Sequence, residues 1–380
     1  MRGITRTPYY SYKIGALPKG CSYCVKGEKL VLFVTGKCNR NCYYCALSDQ
    51  KRNKDFVWAN EWKIEKKQDI VEEAKLCEAK GAGITGGDPL LRLNRTISLI
   101  KLLKKEFGKK FHIHMYVPVD GVTKLKLSKL AKAGLDEIRF HPDLSDDRNW
   151  DLIKLAAKYG WNVGIEIPVV PDKKKEIVEL INYIKKIKKI TFLNLNELEV
   201  SDTNCNKLLK KGFRTKNGIS YAIKGSDRLA KELLKELRKT NLKVHYCSAK
   251  LKDKVQLANR IKRRAKNIAK KYDIVNKDGT LLRGALYLKK FTPSFGYHLK
   301  LEVIPKRELI KKLHKLKREI KFALNIDSDL IEIDEGKIRI LIAPWILVEH
   351  ANTLKKKKLV PALVEEYPTY DQMEISIDFL

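Results

Sequence analysis

The chain has 380 residues, 44% hydrophobic content and a formal net charge of +34, from 79 Lys+Arg against 45 Asp+Glu. That length supports one large domain plus a smaller one. No apolar run is long enough to span a bilayer and Met1–Tyr12 has no apolar core of a signal peptide, so a soluble, cytoplasmic protein with no membrane partner is expected. Heat adaptation usually enriches Glu beside Lys; an excess this one-sided points instead to an anionic partner, nucleic acid first.

Residues 1–28 read as an N-terminal segment carrying a two-cysteine knuckle, Cys21-Ser-Tyr-Cys24. Five of the eight cysteines lie between Cys21 and Cys45, and in a reducing compartment such crowding signals metal ligation rather than disulfides. Residues 29–248 alternate short apolar runs with amphipathic, Lys-rich stretches. The runs are Leu30–Thr35, Ala82–Thr85, Phe111–Val117, Glu137–Phe140, Asn162–Val170 and Ile190–Val200; Ile64–Lys80, Asn94–Phe107, Leu125–Ala133, Asp147–Tyr159 and Lys173–Ile187 have helical spacing. Six strand–helix units predict an α/β fold, a partial (β/α)6 barrel with its chemistry at the C-terminal ends of the strands.

Residues 249–380 read as a basic helix plus a small α+β accessory domain. A long helix over Leu251–Tyr272 carries Arg260, Lys262, Arg263 and Arg264 on more than one face, with almost no acid among them, a phosphate-binding pattern. Strands are expected at Leu282–Tyr287, Tyr297–Val303, Leu330–Ile333, Lys337–Ile342 and Gln372–Ile377, with one helix over Pro305–Phe322.

The stretch Gly36–Cys45, GKCNRNCYYC, directly follows the first apolar run. Three thiolates at Cys38, Cys42 and Cys45 favour an iron–sulfur cluster, or zinc given a fourth ligand. A [4Fe–4S] cluster held by three thiolates leaves one iron open to a small molecule. Cys38-Asn-Arg-Asn-Cys42-Tyr-Tyr-Cys45 resembles the signature of the radical S-adenosylmethionine (radical SAM) superfamily. Ile84-Thr-Gly-Gly-Asp-Pro-Leu90, at the next strand end, is similar to that family's Gly-Gly-Glu-Pro-like segment, with Asp88 where Glu is commoner. The resemblance covers Lys29–Val244. Within the superfamily the chain looks closest to an uncharacterised archaeal group loosely related to pyruvate formate-lyase activating enzymes.

The resemblance implies a [4Fe–4S] cluster whose open iron binds SAM, reductive cleavage to methionine and a 5′-deoxyadenosyl radical, and hydrogen abstraction from a substrate, with an external electron donor. It implies that Tyr44 packs near the adenine and that the backbone of Thr85, Gly86, Gly87 and Asp88 meets the methionine amine. Arg139 and His141, sharing one face of the fourth strand, are candidates to hold a carboxylate or phosphate and a ribose hydroxyl, or to pair with Asp136 or Asp143. Glu166, a carboxylate inside an apolar strand, needs partners that SAM could supply. Asn194 and Asn196 are expected to point inward, with Glu197 near the rim. His112 and His114 share a face and read as satisfied core groups. Cys77 reads as core, and Cys205 is a weaker candidate ligand.

Cys21, Cys24, His245 and Cys247 form a candidate second site for zinc or an auxiliary cluster. The charge, the basic helix and the added domain together favour RNA as substrate, by tRNA modification. A glycyl-radical enzyme activase acting on protein, and a small-molecule or cofactor-modifying enzyme, are the alternatives. A binding module for zinc and RNA without radical chemistry is opposed by the intact motifs.

Overall fold

The computed structural model describes residues 2–380, apart from the side chains of His298 and Glu302. It divides into two compact units, one ending at Arg260 and the other spanning Ile261–Leu380.

In chain order the first unit contains β1 (Ile4–Arg6), β2 (Tyr12–Ile14), α1 (Lys19–Val25), β3 (Lys29–Phe33), β4 (Trp58–Ala59), β5 (Trp62–Lys63), α2 (Lys67–Leu76), β6 (Gly81–Thr85), α3 (Leu93–Phe107), β7 (His112–Pro118), α4 (Lys124–Ala133), β8 (Glu137–His141), β9 (Asn162–Val169), α5 (Lys174–Ile184), β10 (Ile190–Glu197), α6 (Cys205–Lys210), α7 (Ser226–Leu237), β11 (Lys243–Cys247) and α8 (Ala249–Leu251). A π-helical turn, Lys252–Leu257, leads into α9 (Ala258–Ile268), within which the division falls. The sheet runs β1-β2-β11-β10-β9-β8-β7-β6-β3-β4-β5. All neighbours from β3 to β11 along this path are parallel. The antiparallel β4–β5 hairpin and β2–β1 ribbon finish its two ends.

This is the expected partial α/β barrel, with one addition. The six anticipated runs are six parallel strands, and β11, carrying His245 and Cys247, is a seventh. The strands obey a two-residue period that explains their composition. In β7, Ile113, Met115 and Val117 join the apolar core, while His112, His114 and Tyr116 alternate with them. The helices supply the other half of that core at three- and four-residue spacing, as with Leu99, Ile100 and Leu103 of α3. The stretch expected as a helix over Asp147–Tyr159 is a 3-10 helix, Trp150–Lys158.

The second unit contains β12 (Ile274–Val275), β13 (Leu281–Leu288), α10 (Tyr297–Val303), α11 (Lys306–Ala323), β14 (Ile331–Asp334), β15 (Arg339–Ile342), α12 (Pro344–Lys356), β16 (Leu359–Glu366) and β17 (Glu374–Phe379). Its sheet is antiparallel, ordered β14-β15-β13-β16-β17, with β12 paired to β13. It has its own apolar core, in which Leu313 and Ile320 of α11 and Leu347 and Leu354 of α12 meet the strands. Two expectations need correction. Tyr297–Val303 is a helix, not a strand. Its apolar residues fall on alternate positions, but Gly296 enters at φ +73° and starts a helical turn. The accessory domain also holds three helices rather than one, because α12 begins at Pro344, a residue suited to a first helical turn.

Candidate active site

The loop Val34–Val57, leaving the C-terminal end of β3, holds Cys38, Cys42 and Cys45, all free and half-buried. Its root is pinned by one carboxylate. Asp55 accepts from Thr35 Oγ1 at 2.7 Å and pairs with Arg95 at 2.6 Å and Arg92 at 2.8 Å. Those hydrogen bonds, Arg95's first, hold Asp55 well below the usual carboxylate range. The loop also docks against the segment after β6: Gly87 N donates to Thr35 O at 2.7 Å and Asp88 N to Lys37 O at 2.8 Å. A Cβ on Gly87 would sit 2.4 Å from Lys37 O and 2.9 Å from Cys38 Cβ. Glycine is therefore required here for the cysteine loop to close onto β6. Asp88 is buried, and its side chain accepts from Leu90 N at 2.9 Å, capping the turn Pro89–Arg92.

The segment between β10 and α7 covers the loop from the other side. Asn204 Nδ2 donates to Tyr44 O at 3.3 Å, Thr203 Oγ1 to Cys45 O at 3.3 Å, and Arg52 Nη1 to Thr203 O at 3.2 Å. Tyr43 and Tyr44 pack onto its apolar cluster of Leu198, Leu208 and Ile223. The sequence reading misses this cover, which carries no motif. At the rim, Arg40 pairs with Asp120 at 2.6 Å and donates to His141 O at 2.6 Å. Arg40 N also points at Cys38 Sγ, 3.4 Å away.

Below the loop, the inward face of the strands is a buried polar floor. Glu166 receives Arg139 Nη1 at 2.8 Å, Asn194 Nδ2 at 2.8 Å and Asn196 Nδ2 at 2.9 Å. Burial alone would raise the Glu166 carboxyl, but Arg139 and the two amides hold it below its ordinary value. The Asn pair thus points inward as expected, while Glu197 accepts from Ala249 N. Arg139, 2% exposed, also donates to Glu137 at 2.7 Å and Tyr116 at 3.2 Å. The partners expected for it, Asp136 and Asp143, are replaced by Glu137 and Glu166. His141 Nδ1 donates to Glu166 O at 3.0 Å, and burial lowers the ring to about 4, so it is neutral at pH 7. Its ring lies 6.1 Å from that of Tyr44.

α1 packs beneath this floor. A Cβ on Gly20 would sit 2.5 Å from both Arg139 Nη2 and His114 Nδ1, so only glycine lets the helix approach. Lys29 donates to His112 O at 3.0 Å, and burial lowers it to about 7. Cys77 is fully buried, as expected.

The sequence is similar to those of known proteins. The radical SAM superfamily model matches residues 32–184, and a domain family of unknown function (DUF8061) matches residues 279–377. A protein of Methanocaldococcus jannaschii, provisionally named a glycyl-radical enzyme activating enzyme, is 39% identical over 97% of this chain and 94% of its own length. The chain belongs to the radical SAM superfamily. A Pyrococcus horikoshii protein provisionally named a GTP 3′,8-cyclase is 27% identical over 48% of this chain and 60% of its own. Among solved structures, methylornithine synthase overlaps 53% of this chain and 64% of its own at 16% identity, with a TM-score of 0.36. Overlap that loose conveys no site geometry.

Membership makes the chain an enzyme and brings a [4Fe–4S] cluster and SAM as cofactors. The donor set fits. Three thiols sit on one irregular loop between β3 and the glycine segment, free of disulfides, with a backbone N–H already directed at Cys38. Among the described residues no three His, Cys, Asp or Glu side chains are grouped at metal-holding geometry. Cys38, Cys42 and Cys45 are all carried on the one loop between β3 and β4.

The second set, expected to hold zinc or an auxiliary cluster, is built differently. Cys21 Sγ accepts from Asn194 Nδ2 at 3.3 Å, His245 Nε2 is hydrogen-bonded to Ser11 Oγ at 3.1 Å, and Cys247 Sγ lies 3.6 Å from Gln256 Nε2. Cys21 and Cys24 sit on the helix α1, and His245 and Cys247 on the strand β11, rather than on one loop.

The phosphate-binding expectation for α9 is also corrected. Arg260 is 8% exposed, donating to Asn60 and Glu61 at 2.5 Å, and Arg264 is 5% exposed, donating to Pro368 O. Only Lys262 is exposed, and Arg263 is half-buried. Two of the four predicted contacts, Arg260 and Arg264, therefore serve internal contacts rather than solvent. No helix among the described residues is long and apolar enough to cross a membrane.

Proposed function

We propose that this radical SAM enzyme abstracts a hydrogen atom from a polypeptide, as a glycyl-radical enzyme activase. The observation that carries the reading is the end-to-end match, 39% identical, to a relative provisionally named for that activity. The rim supports it. Asp120 and Asp172 are exposed and Asp143 half-exposed on the loops after β7, β8 and β9, beside Arg40, Arg148 and Lys173. A rim of mixed sign suits a polypeptide better than a phosphodiester chain.

In this reading Cys38, Cys42 and Cys45 hold the cluster. The cluster and SAM, once bound there, would supply the radical chemistry. The backbone of Thr85, Gly86, Gly87 and Asp88 borders the methionine end of SAM, and Tyr44 and the neutral His141 border the adenosine. Glu166, kept ionised by Arg139, Asn194 and Asn196, sets the charge at the floor of the site. The cover between β10 and α7 keeps water from the cysteine loop. The finer alternative, tRNA modification, retains one support, the net charge of +34; Lys262 and Arg263 are what remains of its proposed contact.

The test is anaerobic 5′-deoxyadenosine formation by cluster-reconstituted protein with SAM and dithionite. Protein and RNA fractions from source cells are added separately. We expect stimulation by the protein fraction, abolished by proteinase, together with a glycyl-radical doublet in the electron paramagnetic resonance spectrum. Stimulation by the RNA fraction alone overturns the polypeptide reading. Cys42→Ala should reduce formation to background in every case and remove the cluster absorbance.

A further inference from the structure

β17 is an edge strand: among the described residues it pairs with β16 alone. Soluble proteins guard such edges with lysine, proline or brevity. β17 has six residues, Glu-Ile-Ser-Ile-Asp-Phe, and none of these guards. Its setting is unusual for this chain. From Leu359 to Leu380 there is no lysine or arginine, the longest such interval in a sequence with 79 of them.

One face of this strand, Ile375, Ile377 and Phe379, is also apolar. Ile375 is 46% and Phe379 49% exposed. A groove of about 600 Å³ runs between Glu374–Ile377 and the start of α10, walled by Phe295 and Leu299, both largely exposed. No basic residue lines it. Two molecules of charge +34 repel each other over most of their surfaces. A seam free of lysine and arginine is where two copies can meet.

The strand is self-complementary in one register. Leu380 N donates to Pro361 O on β16, so by alternation the N–H and C=O of Ile377 and Phe379 point to the free side. A two-fold axis normal to the sheet at Ile377 pairs each strand with its symmetry mate so that odd positions oppose odd ones. Ile377 then faces Ile377 of the partner copy, Ile375 faces Phe379, and Ser376 faces Asp378. Apolar side chains meet apolar ones, and no like charges are directly opposed. Glu374 is already held by Lys337 at 3.2 Å and Arg339 at 3.4 Å within its own unit.

We propose that β17 is a homodimer seam, joining two copies antiparallel about Ile377 into one continuous sheet, with Phe295 and Leu299 flanking the junction. The interface is isologous, as closed dimers require.

Sedimentation of the cluster-reconstituted full chain tests this. The wild type should form dimer with rising concentration. Ile377→Lys sets two lysines against each other across the axis and should leave monomer, with its thermal transition kept as a folding control. Phe295→Ser removes a fully exposed wall residue that no fold depends on, and should weaken dimerisation at least tenfold. Ser376→Lys should tighten the dimer, because the new lysine faces Asp378 of the partner copy. That gain distinguishes this register from any other use of the edge. A wild type monomeric up to about 100 μM, where even weak homodimers populate, overturns the proposal and leaves the groove to a different protein. So does a dimer indifferent to both Ile377→Lys and Phe295→Ser.

Discussion

The barrel floor and the C-terminal sheet both bury charge, but they complete it differently. In the sheet, Glu366 receives Arg339 at 2.6 Å, Lys337 at 2.7 Å and Arg283 at 3.0 Å, while Asp334 and Asp273 take the remaining guanidinium edges. Among the described residues, no buried side-chain nitrogen or oxygen of that unit lacks a partner. On the floor, His114 Nδ1, Asn194 Oδ1 and His245 Nδ1 are buried without one. The sheet's network is closed and serves the fold. The floor keeps unused hydrogen-bonding capacity next to the site where chemistry occurs, and its buried lysine, Lys29, is a charge that burial opposes.

Breaking the closed network should give the largest effect. Arg339→Met leaves Glu366, Asp334 and Glu374 without their shared cation. Removing one partner of a buried ion network costs about 3–5 kcal/mol. The loss should fall on the second unit's transition in chemical denaturation, with 5′-deoxyadenosine formation unchanged in conditions where the chain stays folded. A loss spread evenly over both units would show that the network is not confined to one of them.

The floor should respond in the opposite direction. Burial lowers Lys29 to about 7 from its ordinary value of 10.5, against the smaller opposing pull of Cys24 and Glu137. Between those two values the unfolded chain binds a proton that the folded chain does not, so Lys29 contributes a stability that rises with pH in this window. Below about pH 7 both states are protonated and the penalty is constant. Each tenfold loss of proton affinity on folding costs about 1.4 kcal/mol, and the hydrogen bond from Lys29 to His112 O offsets part of the total. Lys29→Met should therefore stabilise the protein near neutrality by ~3 kcal/mol. The advantage over wild type should shrink as pH rises towards 10. Denaturant midpoints of both proteins across that range check the sign; a parallel offset at every pH would mean that lost packing, not the lysine's charge, decides the outcome.

The contrast also explains what is legible in the sequence. The cysteine motif, the Gly-Gly-Asp-Pro segment and the six parallel strands are readable because each is local: a fixed spacing, a turn, an apolar run. Glu166 stands out as a carboxylate in an apolar strand, and its two Asn partners can be placed inward, since alternation along β10 leaves only two choices. Its main partner, Arg139, becomes visible only once β8 and β9 are neighbours. β11 escapes notice because five residues between α7 and the next helix carry little pattern. The cover over the cysteine loop has no motif at all; it is recognised only through hydrogen bonds such as those of Thr203 and Asn204.

The smallest predicted effects lie on α9, where two positions two residues apart extend the same contrast. Arg260 closes a local network: its guanidinium serves Asn60, whose Oδ1 also accepts from Val31 N at 2.9 Å, and Glu61. Lys262 projects into solvent. Arg260→Ala should cost about 1–3 kcal/mol by leaving buried acceptors underused. Lys262→Ala should stay within about 0.5 kcal/mol. Binding of bulk tRNA, followed by filter retention at two salt concentrations, separates the functional readings of the helix. If α9 gripped phosphate, Lys262→Ala would lower both the affinity and its salt dependence. We expect neither to move, because Arg260 and Arg264 are spent on internal contacts and only Lys262 of the four predicted residues projects into solvent.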